Sequence, residues 1–493
     1  MDAGRPSAKR TRSGDVAPAG EAPPRPREAT EATSPQRQPD AGGEDGAGVD
    51  HISGLHDSIL GEIISLLSTK EAARTRILAS RWRRVWRASP LIVDRMDLDD
   101  VKELPQHKRM AAEETRASVV SHILSTHPGP CRRFCVLPYH LQTRAVVVDR
   151  WLRSPALDNL QELDFWHNGT NMYPPLPLSP PPASVFRFSD TLRPDVSIGG
   201  LHFPNLKHLA LQHVSISEGS LHTMIHNCPV LECLWLRYSS GFSYVRISSS
   251  SLKSICLVTT RYMLQEVTIV DAPGLERFLF QGISVNASII SAPKLETLGC
   301  ICDAHGRGRL VIGNTMIEGL QVIKLTTVVQ NIKILAVQSW HIDLDIIIEL
   351  MKCFPCLEKL YVKARVSGNM NRWRRKHRQF IDCFDIRLKT IVLEQYRGTT
   401  SQVNFVSFFL LNARELQLMT LVVDKGAENE AFLAEQHKVL QMEDRASRGA
   451  QLHFTPKSCY HGMHVSHVRD LAITDPFECS SQNCSLGVGM IIP

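Results

Sequence analysis

No stretch of this sequence approaches the roughly 18 consecutive apolar residues of a membrane-spanning helix, and no apolar core near its start has the form of a secretory signal. The cysteines lack framework spacing: there are 13, an odd number, scattered along 493 residues. A disulfide scaffold is thereby disfavoured, and reduced thiols in the nucleus and/or cytoplasm are the expectation. Aromatic residues are sparse at 6%. Residues 1–50 carry seven basic and nine acidic side chains and residues 51–95 carry eight and four, which leaves +4 of the net +6 for the rest of the chain. That charge is too dilute for a nucleic-acid-binding field. Residues 1–49 contain no Leu, Ile, Phe, Tyr, Trp or Cys, but nine Ala, seven Gly and seven Pro. Such a tail cannot bury enough surface to offset its ordering and is predicted to be disordered, with Lys9, Arg10 and Arg12 read as solvated charges and an import signal as the alternative. Enzyme signatures are missing as well: there is no Walker lysine loop, G-x-S-x-G elbow, H-E-x-x-H helix or kinase set. No catalytic residue and no cofactor is expected.

What is present begins at Asp50. Ile59, Leu60, Ile63, Ile64 and Leu67 fall at helical spacing, Thr69 is a candidate N-cap for a second helix carrying Ile77 and Leu78, and a third turn presents Trp82, Val85 and Trp86 between arginines. A unit of roughly 40 residues has too little core to hide so much apolar surface, so a partner must cover part of it.

Over Asp50–Trp86 the sequence resembles the plant F-box, written D-x-I-S-x-L-P-D-x-I-L … L-P-T-K-x-A-x-x-T-x-x-L-S-x-R-W-R-x-L-W. Asp50, Ile52, Ser53, Leu55, Asp57, Ile59 and Leu60 match, as do Thr69, Lys70, Thr75, Leu78, Arg81, Trp82, Arg83 and Trp86. His56 and Ser68 replace the usual prolines and Ala79 the frequent serine. Proline pre-sets a helix entrance, so its loss is expected to loosen the docking edge without abolishing the fold. The resemblance implies an adaptor role. Leu55, Ile59, Leu60, Ile63 and Leu67, with Trp82 and Trp86 as supports, would dock on the SKP-family adaptor of a cullin ubiquitin ligase.

After a predicted helical connection at 94–130, a frame L-x-x-L-x-L recurs. Copies start at Leu160, Leu206, Leu231, Leu252, Leu275, Leu295, Leu320, Leu357, Leu388 and Leu416, and an additional match, Ile332/Leu335/Val337, lies twelve residues beyond the copy at Leu320. Intervals of 25, 21, 23 and 20 residues from Leu206 to Leu295 have the leucine-rich-repeat period. Alternating leucines turn one face of each short strand inward, and stacked copies bury what one copy cannot. Helical returns are predicted at 220–229 and 346–355, each stopped by a proline, and the Pro-rich run 173–183 is predicted to loop out. The expected fold class is α/β: a three-helix F-box followed by a curved solenoid of strand plus helix or loop repeats.

The last third resembles the FBD region that ends many plant F-box/leucine-rich-repeat proteins. The Tyr396-Arg397-Gly398 turn, the helical run Phe405–Asn412 and Arg445-Ala446-Ser447 carry that likeness. The expected division is a tail at 1–49, the F-box at 50–93, the linker at 94–130, repeats at 131–355, the FBD and solenoid cap at 356–455, and a C-terminal tail at 456–493.

Three other groups of residues invite chemical readings. Cys353-Phe-Pro-Cys356 has redox spacing without a thioredoxin-like context and is read as structural. Cys459, His461, His464 and His467 lack zinc-site spacing, so no metal is expected. Arg372–Arg378 is read as a charged loop, with an import signal or an anion-binding patch as the alternatives.

The expected function is substrate recognition for an SCF-type ubiquitin ligase, with an unknown target protein held on the strand face. Trp166, Trp235, Arg237, Lys324, Tyr361 and Lys363 are the candidate target-binding residues, because aromatics and arginine anchor interfaces. Two alternatives stand beside it: an interaction scaffold without ligase activity, and a receptor assisted by a small molecule, which needs basic side chains converging on one strand face.

Overall fold

Each repeat strand hides its leucines by lying beside the next, and that register holds through most of the chain. The computed structural model describes residues 51–52, 54–93, 106–136, 145–166, 186–187, 203–212, 214–259, 264–281, 285–303, 308–366, 371, 385–423, 430–455, 465, 468–473 and 475–478. The chain divides into two compact units, Met1–Gly54 and Leu55–Pro493, and the architecture below is that of the second.

Among the described residues, thirteen strands form one sheet in chain order: β1 (Leu91–Val93), β2 (Cys131–Val136), β3 (Glu162–Trp166), β4 (His208–Gln212), β5 (Cys233–Arg237), β6 (Ser254–Val258) and β7 (Arg277–Gln281). The sheet continues through β8 (Thr297–Cys302), β9 (Ile334–His341), β10 (Lys359–Val366), β11 (Thr390–Tyr396), β12 (Leu418–Val423) and β13 (Gln451–Thr455). Every pairing is parallel. Parallel neighbours need a crossover, which the return segments supply. One row crosses the sheet in register: Leu163, Leu209, Leu234, Ile255, Phe278, Leu298, Leu335, Leu360, Ile391 and Met419, all fully buried. Burying each such side chain contributes about 1.5–3 kcal/mol against the entropy of ordering the chain.

Three helices precede the sheet, α1 (Asp57–Leu66), α2 (Thr69–Arg74) and α3 (Ser80–Ala88), with a 3-10 turn at Thr75–Ile77. Ser68, not Thr69, caps α2: its hydroxyl accepts from the Glu71 N–H and the Glu71 carboxylate accepts from the Ser68 N–H, a capping box. At α1 the His56 ring accepts from the Ser58 N–H. The residues that replace proline thus satisfy orphan helix donors.

α4 (Gln106–Thr126) and α5 (Ala145–Leu152) follow, then α6 (Glu218–His226), α7 (Leu344–Cys353), α8 (Thr400–Asn412) and α9 (Glu430–Val439). Helical returns occur where predicted, at α6 and α7. Between β5 and β8 the returns are instead short strands, Tyr244–Ser248, Glu266–Asp271 and Asn286–Ile289, which pair in parallel in a second sheet. The 20–23-residue intervals there leave less chain than the 25-residue interval that accommodates α6. Their alternating burial (Val245 and Ile247, Val267 and Ile269 inward) matches a half-buried strand.

One of the strand assignments needs correction. The copy at Leu320/Ile323/Leu325 is not a repeat strand of the main sheet. It belongs to the antiparallel run Arg309–Ile312, Thr315–Glu318 and Gln321–Lys324 at the edge of the second sheet, and Ile323 and Leu325 are exposed. The true strand is β9, whose Leu335 and Val337, with the preceding Ile332, are buried. The Pro-rich run 173–183 and the basic run 372–378 lie outside the described residues.

Candidate functional site

Two surfaces stand out, and the first is on the helical module. Leu60, Ile64, Ala72, Trp82 and Val85 form a small core, with Leu55, Leu67 and Trp86 half-buried against it. The Arg81 guanidinium ties α3 to α1 through the Asp57 carboxylate at 2.6 Å and also donates to the Leu55 carbonyl. The module is fastened to the sheet by the Thr69 hydroxyl, which donates to the Ile92 carbonyl of β1, and by His127. The His127 Nδ1 accepts from the Gly129 N–H at 3.0 Å, so Nε2 carries the proton toward the Trp86 carbonyl at 3.1 Å, and the ring meets Trp86 edge to face at 4.5 Å. Burial lowers the His127 pKa, outweighing the backbone hydrogen bonds that would raise it.

After that core is built, a group of apolar side chains remains in water: Ile59 and Ile63, and beyond them Leu66 at 77%, Ile77 at 82% and Leu78 at 67% exposure. Of the docking residues expected from sequence, Ile59 and Ile63 face solvent. Leu60 and Trp82 do not: they are interior, because their helical positions point at the facing helices. Leu55, Leu67 and Trp86 sit between these extremes. Leu66, Ile77 and Leu78 are additional. Ile77 lies in the 3-10 turn and Leu78 just past it, where a purely 3.6-residue period misassigns the face.

The second surface is the outward face of the main sheet. One set of outward positions there is apolar: Ala210, Trp235, Cys256, Leu279, Ala336 and Tyr361. They are also covered. Val465, Val468, Leu471 and Phe477, from the region expected to be a loose tail, join them in one buried cluster. A 3-10 turn at Val468–Ala472 packs on β4, β5 and β6. The Arg469 guanidinium reaches the buried Glu162 carboxylate of β3 at 3.1 Å. The Leu471 carbonyl accepts from the Ser254 hydroxyl at 2.8 Å and from Arg277 Nε at 3.0 Å. At β10 the buried Asp475 carboxylate accepts from the Tyr361 hydroxyl at 2.8 Å and from Lys359 Nζ at 2.7 Å, and Phe477 packs on the Tyr361 ring at 5.4 Å. Burial opposes the Lys359 ammonium, but its hydrogen bond and charge interaction with Asp475, helped by Glu478, outweigh that and raise its pKa. Burial first, and the Asp475 charge second, push the Tyr361 phenol up, so it donates at any ordinary pH.

This arrangement corrects several target-binding expectations. Trp235 and Tyr361 point outward but are buried under the 465–478 segment. Lys324 is on the second sheet, away from the main strand face. Lys363 is largely buried and pairs with Glu394 at 3.4 Å. Arg237 lies half-exposed at the end of β5, its guanidinium over the Trp235 and Tyr238 rings. Trp166 falls on β3, and its side chain is outside the described part. The basic residues named for a small-molecule site therefore do not converge. The signal for a covered face was present in the sequence: in three successive frames the residue between the last two apolar positions is Ala210, Trp235 and Cys256, where an exposed strand would carry polar groups.

The described cysteines are free thiols, and burial pushes Cys131 and Cys233 to about 12 and Cys353 to about 11, far from reactive. Among the described residues no helix is long and apolar enough to cross a membrane, and no group of His, Cys, Asp and Glu could hold a metal. The tract of Cys459, His461, His464 and His467 lies outside them.

Comparison with known proteins now fits this geometry. Residues 148–362 match the family model described as FBD-associated F-box protein At5g56370, LRR repeats, and residues 376–421 match the FBD model. The F-box/LRR-repeat protein At2g42730 of Arabidopsis thaliana is 24% identical, over 81% of this chain and 96% of its own length. The putative F-box/FBD/LRR-repeat protein At5g56810 of the same plant is also 24% identical, over 79% and 93%. The MEIOTIC F-BOX protein MOF of Oryza sativa subsp. japonica is 27% identical over 45% of this chain and 49% of its own. Repeats and FBD, matched in that order, make this chain similar to the plant F-box/FBD/LRR-repeat proteins.

Proposed function

We infer that the chain is a substrate-recognition subunit of an SCF-type ubiquitin ligase. In this reading α1–α3 are the F-box, within residues 50–93, and dock on a SKP-family adaptor. The strands from residue 131 onward are a leucine-rich-repeat solenoid ended by the FBD, and they hold a target protein in the nucleus and/or cytoplasm. The chain itself makes and breaks no bond. Its contribution is proximity, because a tethered target meets the ubiquitin-loaded enzyme at a high effective concentration.

The observation that carries this reading is the exposed apolar group on the helical module. Leu66, Ile77 and Leu78 remain in water although the module has completed its own core. Several large apolar side chains left in water on so small a module point to a protein-binding surface. Mixing the purified full chain with a SKP-family adaptor tests it. A stable complex that is lost on Ile77→Ala/Leu78→Ala supports the reading. An intact chain that ignores the adaptor refutes it. Adding the cullin assembly and ubiquitin then separates a ligase subunit from an interaction scaffold, since only the former yields modified target.

A further inference from the structure

The segment that covers the outward strand face is held as a peptide ligand is held. Its described residues add no strand to any sheet. One row of strand positions grips it by polar contacts (Glu162, Ser254, Arg277 and Lys359), and the grip on the Leu471 carbonyl would serve any backbone placed there. A second row forms an apolar floor. Specificity is concentrated at β10. There the Asp475 carboxylate meets a phenol and an ammonium, and two residues on the Phe477 ring lies on Tyr361. The following Glu478 also reaches Lys359, at 3.3 Å. In the floor, the buried Trp235 Nε1 has no hydrogen-bond acceptor among the described residues. An unpaired buried donor is destabilising, so a ligand bringing an acceptor to it would be preferred over the present occupant.

We propose that the outward face of β4–β10 is a peptide-binding groove for target segments with an acid-x-Phe-acid motif following a short apolar turn, and that Val465–Glu478 is a built-in competitor occupying it. This deepens the proposed function, on which it rests, by naming the chemistry of the target. Release of the segment exposes the groove, and a target peptide takes the positions of Asp475 and Phe477. A tethered competitor sits at roughly millimolar effective concentration, so a peptide that binds the open groove at about 10 µM is weakened on the order of 100-fold while the segment stays in place.

The test uses the full chain with a specific protease site introduced within residues 457–463 and a fluorescent synthetic peptide of residues 465–478. Polarisation titrations before and after cleavage are expected to differ by at least tenfold in favour of the cut form. A scrambled peptide should not bind, and Lys359→Ala or Tyr361→Phe in the cut chain should weaken binding several-fold. The proposal is overturned if the cut segment cannot be displaced by excess peptide, or if its departure collapses the sheet in circular dichroism; either result makes it a structural strut. Equal binding of the scrambled peptide overturns the motif. Adaptor capture by the helical module, run on the same samples, reports separately on the ligase reading.

Discussion

The most direct consequence of the helical module is a pair of residues whose loss should abolish docking without touching the fold. Ile77 and Leu78 are 82% and 67% exposed, so most of their transfer free energy is still unrealised in the isolated chain. Burying a complete side chain of this size is worth about 1.5–3 kcal/mol, which leaves a reserve of about 1.2–2.5 for Ile77 and about 1–2 for Leu78. Ile77→Ala/Leu78→Ala removes much of that sum, about 2–4 kcal/mol, or roughly 30- to 1,000-fold in adaptor affinity. Substitution at exposed positions should change folding stability by no more than about 0.5 kcal/mol each. Titration calorimetry with a SKP-family adaptor reads the affinity and a thermal melt reads the fold. Leu60→Ala is the contrasting variant: it opens a cavity in the module's core and should cost about 2–5 kcal/mol of local stability, so docking and fold fail together. If the double variant melts normally and binds the adaptor undiminished, the docking surface has been assigned to the wrong face.

The remaining predictions concern stability. Ser68→Ala removes the capping box of α2 and should lower stability by about 1 kcal/mol, measured by urea denaturation, with no loss if the box is incidental. Leu360→Ala, in the fully buried row, should cost about 2–5 kcal/mol, whereas Leu325→Ala should stay within about 0.5 kcal/mol; similar costs at both would restore Leu320–Leu325 as a repeat strand. His127 is neutral in the fold with a pKa below its ordinary 6.5, so the unfolded chain takes up the proton first. Its contribution is therefore present above 6.5 and lost as pH falls from there through the lowered value. Denaturation midpoints between pH 8 and 5 should fall more steeply for the native chain than for His127→Asn, and parallel slopes would remove His127 from the account.

Periodicity and local chemistry alone determined a good deal of this protein. The leucine frame marked nine of the thirteen sheet strands directly and a tenth through the additional match at Ile332, because inward residues of stacked strands must be apolar at fixed spacing whatever lies outside them. The helices at 218–226 and 344–353 were legible as the runs 220–229 and 346–355, each with a proline behind it. Three things were decided only in the folded chain. Which apolar residues of the helical module face inward depends on how three short helices cross, so Leu60 and Ile59, adjacent in sequence, end on opposite sides of the surface. Whether L-x-x-L-x-L is a main-sheet strand depends on what the preceding segment does, and the turn at Gly319, with a φ of +60°, sends Gln321–Lys324 back along its own sheet. The cover on the strand face joins residues more than a hundred positions apart, Tyr361 with Asp475 and Ser254 with Leu471, and no local pattern encodes a contact of that range. Short-range spacing dictates which side chains seek burial; only the complete packing chooses the partner that buries them.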